Sequence, residues 1–180
     1  MIELKRISVN DYIELHDKSQ YDFAMRFAVK FNESVNEFEI IDIFELPFGF
    51  IIDYQFEMIK GMSLLRQIEL IQSITKKDVL KMDLDVFCRG CKFVNEAMLQ
   101  IAEIERQKLS HTPTFHEQNA GIENLFEGLE FYMKVRKLAN NDITKIESIR
   151  ELPYSKCFLE LYTQKQEYEF QNNIIKNQNK

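Results

Sequence analysis

Between Thr114 and Gln171 the chain carries helix start and turn signals at close intervals. Thr114-Phe-His-Glu117 and Thr144-Lys-Ile-Glu147 both spell a capping box. In such a box a threonine oxygen and a glutamate carboxylate three residues on take up free N–H groups of a first helical turn. Between and after them stand Ala120-Gly-Ile122, Leu138-Ala-Asn-Asn-Asp142 and Leu152-Pro-Tyr154, the last with proline where a first turn tolerates it. A stretch punctuated in this way folds as helix–turn–helix units. Composition extends the conclusion to the whole chain: 5 Gly and 3 Pro in 180 residues are too few for the many turns of a sandwich, barrel or nucleotide-binding fold. The expected class is all-α, a bundle of about seven to nine helices, with at most one short strand over residues 2–7.

Apolar spacing sets the individual elements. Ser8-Val-Asn-Asp11 opens a helix to residue 17, and Ser19-Gln-Tyr-Asp22 opens another. The second carries Phe23, Ala24, Phe27, Ala28 and Phe31 on one face, followed by a loop over 32–36. Residues 39–46 fit a short helix or a strand, with helix favoured; Pro47 ends the segment and Gly49 loosens the residues after it. Residues 63–74 form a helix with Leu64, Leu65, Ile68 and Ile71 inward. Asp83 caps the longest helix, over 84–109. Its inward set is Phe87, Cys88, Cys91, Val94, Met98, Ile101, Leu109 and either Ile104 or Glu105. A helix over 115–139 buries Ile122, Leu125, Phe126, Leu129, Tyr132, Met133 and Leu138. A short one covers 145–151, and a final one runs from Pro153 to 175, with residues 172–180 frayed. The chain divides into an acidic lobe over 1–75 and a helical bundle over 76–180.

Charge narrows the partners. Residues 1–60 hold 6 Lys/Arg against 12 Asp/Glu, so the whole net charge of −6 lies there. No basic stripe suits nucleic acid. Lys134-Val-Arg136-Lys137, the nearest to one, sits at a helix end where cations complement the helix dipole. No apolar run is long enough to span a membrane. Residues 1–6 lack an apolar signal region, so the expected compartment is the cytoplasm.

One constellation suggests chemistry. Cys88-Arg-Gly-Cys91 followed by His111 and His116 reads like a zinc spacing. An unbroken helix over 84–109 would hold Cys91 and His111 about 30 Å apart at 1.5 Å per residue, whereas zinc needs its ligands around one point. The same cysteines would suit a redox dithiol only after a strand, and none is expected before them. Glu123, Glu127, Glu130 and Lys134 share one helical face, which reads as a solvated row. No Gly-x-Gly-x-x-Gly, Walker or Gly-x-Ser-x-Gly motif occurs. The expectation is a non-enzyme with no catalytic residue, no cofactor and no metal.

The residues from Ile43 to Phe56 stand apart, with four Phe, three Ile and one Tyr among them. So apolar a segment is either core or a surface for a partner, with Phe44, Phe48, Phe50, Tyr54 and Phe56 as its contacts. The opening Ile-Glu-Leu-Lys-Arg-Ile-Ser-Val-Asn-Asp-Tyr, the words Ala120-Gly-Ile, Leu138-Ala-Asn-Asn-Asp142 and Leu152-Pro-Tyr154, and Glu167 with Phe170 in the last helix together carry a resemblance. The chain resembles small all-helical proteins of tailed-phage structural gene clusters, including tail-assembly-chaperone-like proteins. The resemblance implies a non-enzymatic assembly or virion accessory role in the host cytoplasm or the virion. The implied partners are other phage structural proteins, or further copies of the chain. Two alternatives stand beside it: an intracellular helical adaptor or regulator, and a metal or redox protein acting through Cys88 and Cys91.

Overall fold

The computed structural model describes residues 7–19, 42–111, 113, 115–121 and 129–178, the side chains at 116 and 117 excepted. The expected strand over 2–7 (all but its last residue), the helix opened by Ser19, the loop over 32–36, the Thr114 capping box, and Ile122, Glu123, Leu125, Phe126 and Glu127 lie outside the described residues. Within them the chain is all-α. Its helices are α1 (Val9–Glu14), α2 (Phe48–Lys60), α3 (Leu64–Thr75), α4 (Leu84–Leu109), α5 (Phe115–Asn119), α6 (Glu130–Leu138), α7 (Ile146–Arg150) and α8 (Tyr154–Gln178). Short 3₁₀ turns lie at Ile43–Glu45, Val79–Lys81 and Ile143–Lys145. No strand forms among the described residues, where the β pairing consists of isolated antiparallel bridges, Ser8 with Asp83 and Pro47 with Pro153.

The chain divides into two compact units, Met1–Ile43 with Glu57–Leu99 and Phe44–Phe56 with Gln100–Lys180. Helices α2 and α4 each run on through a unit boundary. Each unit therefore takes residues from both sides of position 75, where the sequence places the division between lobe and bundle.

In the first unit Ser8 forms the expected box: its hydroxyl accepts from the Asp11 N–H at 3.1 Å, and the Asp11 carboxylate accepts from the Ser8 N–H at 3.0 Å. Helix α1 stops at Glu14, short of residue 17, because Leu15 is extended. Backbone bonds from Val9 N–H to Met82 O and from Leu84 N–H to Ile7 O tie the start of α1 to the start of α4. Val9, Val79, Phe87 and Val94 are buried there. Ser63 caps α3, accepting from the Arg66 N–H. The inner face of α3 is Ile68, Leu70 and Ile71, whereas Leu65, expected inside, is 66% exposed. The apolar face of α3 is thus set by its second and third turns.

The second unit is organised by one word used twice, Leu46-Pro47-Phe48 and Leu152-Pro153-Tyr154. The two pair antiparallel: Phe48 N–H donates to Leu152 O at 2.7 Å and Tyr154 N–H to Leu46 O at 2.9 Å. Each proline carbonyl accepts the first bond of the following helix, from Ile51 and Cys157 respectively. The paired starts thus satisfy N–H groups that a helix end otherwise leaves free. Phe48 and Tyr154 are both buried, and burying such a side chain is worth about 1.5–3 kcal/mol.

Gly49 loosens nothing, contrary to expectation. It lies buried in the first turn of α2, and a Cβ there would meet Arg150 Cβ at 2.9 Å. The close approach lets Arg150 reach Asp53 at 2.8 Å. Gly49→Ala is therefore expected to cost about 1–3 kcal/mol by overpacking, read as a lower denaturation midpoint. An unchanged midpoint would show that α2 and α7 can separate freely.

Other expectations are corrected downstream. The single helix over 115–139 breaks at Ala120-Gly121, where Gly121 takes φ +76° and its N–H bonds to Gln118 O. Around α6, Leu129 and Tyr132, expected inside, are exposed, while Val135 and Ala139 are buried. Asn140 and Asn141, both left-handed, end α6 with N–H bonds to Lys137 O and Arg136 O. Thr144 does not cap: its N–H and hydroxyl both donate to Asp142, and α7 begins only at Ile146. Residues 172–178, expected to fray, continue α8.

Candidate functional site

The aromatic segment is mainly core. Phe48 and Tyr54 are buried and Phe50 and Phe56 half-buried, while Phe44 is 41% exposed. Phe44 and Phe48 each pack on Tyr154 at 6.1 Å, Phe50 on Tyr54 at 5.8 Å, and Phe56 on Phe131 at 6.1 Å. Phe48 and Tyr54 therefore offer no surface to a partner. The expected contact set reduces to Phe44 with the outer edges of Phe50 and Phe56.

Cys88 and Cys91 lie one turn apart on α4. Burial, and then Asp85, pushes the Cys88 thiol up to about 11. Burial, and then Cys88, pushes Cys91 up to about 12. Both favour the protonated thiol over the thiolate that metal binding and redox exchange need. Helix α4 continues unbroken from Cys91 to Leu109, about 27 Å at 1.5 Å per residue. His111 lies beyond it, with its ring 6.2 Å from Tyr168, and the His116 side chain is outside the described ones. Among the described residues no three His, Cys, Asp or Glu side chains are grouped to hold a metal.

The second unit contains a buried polar cluster that sequence reasoning does not assemble. Glu105, on α4, is 8% exposed. Its Oε2 accepts from Lys134 Nζ at 2.8 Å and from Gln55 Nε2 at 3.2 Å. The Lys134 ammonium also sits 5.3 Å from the centre of the Phe131 ring, a favourable cation–π distance. Tyr154 lies close enough to feel Glu105: burial first, and then the carboxylate, raises the ionisation of its phenol well above the usual value. The Tyr154 hydroxyl nonetheless lacks a hydrogen-bond partner of good geometry, as does Gln55 Oε1. Lys134, which the sequence places in a solvated row with Glu130, turns inward. The inward period of α4, which admits either Ile104 or Glu105, is the signal that points to the cluster. Chemically the cluster fixes one carboxylate and one ammonium in a poorly hydrated place.

Lys134 also forms part of the wall of an open groove of about 760 Å³. One wall is α6, through Glu130, Met133, Lys134 and Lys137, ending at Asn140 and Asn141. The other is α8, through Leu161, Gln164, Lys165, Tyr168 and Glu169, with Leu109 and His111 between them. Lys165 donates to the Lys108 carbonyl at 2.9 Å and pairs with Glu169 at 3.3 Å. Beyond Leu161 no described side chain of α8 is fully buried. Tyr168, Phe170, Ile174 and Ile175 are exposed there, Phe170 by 65%. No helix among the described residues is long and apolar enough to cross a membrane. No family model, curated protein or solved structure matches the chain.

Proposed function

We propose that the chain is a non-enzymatic, phage-type assembly or virion accessory protein that works in the host cytoplasm by binding other structural proteins. The observation that carries this reading is α8. It is a 25-residue helix whose buried residues, Tyr154, Cys157 and Leu161, all fall in its first third. The remaining turns carry Tyr168, Phe170, Ile174 and Ile175 toward solvent. A helical stretch of that length is marginal by itself in water; at about 100° per residue Tyr168 and Ile175 fall on one side of it and Phe170 and Ile174 on the other, so a partner that contacts both sides would cover them. The resemblance to tailed-phage structural-cluster proteins supplies the kind of partner. Affinity capture with the tagged full chain, in cells expressing tail, portal or capsid proteins, is expected to retain one of them. Phe170→Asp with Ile174→Asp should abolish that retention. A chain that captures none of these proteins would sink the proposal.

A further inference from the structure

We draw no further inference here: the strongest candidate, the open groove between α6 and α8, carries no charge excess once the Lys134–Glu105 and Lys165–Glu169 pairs are counted, and nothing in the structure shows what covers it.

Discussion

Lys134→Met is expected to lower the stability of the second unit by about 3–5 kcal/mol, the usual cost of stranding a buried charge. The substitution keeps the length and apolar stem of the side chain and removes only the ammonium. Glu105 would then keep its charge in a poorly hydrated place, with Gln55 Nε2 still donating at 3.2 Å. The lower end of the range is the better expectation, because 24% of the Lys134 side chain and 10% of the Glu105 side chain still reach water. Glu105→Gln should cost less, about 1 kcal/mol, since the ammonium it leaves without a counter-charge is the more exposed of the two, 24% against 10%, and an amide oxygen can still accept from it. Removing both charges together, as Glu105→Leu with Lys134→Met, should recover most of the loss, because an apolar pair of similar volume incurs no desolvation penalty. Guanidinium unfolding of the three variants decides the matter. A double variant no more stable than Lys134→Met would mean that the lysine contributes packing, not charge.

This cluster escapes sequence reasoning for a physical reason. Periodicity along α4 identifies an inward face but cannot say whether Ile104 or Glu105 occupies it. The deciding partners, Gln55 and Lys134, lie 50 and 29 residues away in sequence. Only tertiary pairing makes a buried glutamate tolerable, and a local pattern has no access to that. Local chemistry, by contrast, is legible wherever the partner groups lie within a few residues. Ser8 with Asp11, Ser63 with Arg66, the whole extent of α4 and the asparagine stop after α6 all arise from short-range signals. The failures at Thr144 and at Ala120-Gly121 have the same root. Two start signals compete at Asp142 and Thr144, and a glycine that can continue a helix instead turns it. The repeated Leu-Pro-aromatic word is visible in the sequence. What the sequence does not show is that its two copies, 106 residues apart at Pro47 and Pro153, pair with each other.

Alkaline solution should unfold the protein from within its cores, with the loss beginning near pH 9. Four groups, three buried and Cys88 half-buried, hold their protons more tightly folded than unfolded. Cys88 and Cys157 rise from an ordinary 9.0 to about 11, Cys91 rises to about 12, and Tyr154 rises well above 10, each chiefly through burial. For a group raised in this way the unfolded chain releases its proton first. The stabilising contribution is whole below pH 9 for the thiols and below pH 10 for Tyr154, and it disappears as pH climbs toward the folded values. Cys91 alone, shifted by about three units at about 1.4 kcal/mol each, accounts for about 4 kcal/mol by pH 12, enough to threaten a domain of ordinary stability. Cys91→Ala should therefore flatten the alkaline loss in the first unit, and Tyr154→Phe should do so in the second above pH 10. At neutral pH Tyr154→Phe should be close to neutral, because the hydroxyl it removes is buried without a good partner. Far-UV circular dichroism measured together with thiolate and tyrosinate absorbance reads both processes at once. Thiols and phenol that titrate at their ordinary values while the helices persist would show that water reaches these side chains in the folded chain. Ionisation that appears only as helix is lost would show that the burial of these thiols and of the Tyr154 phenol sets the alkaline limit of the fold.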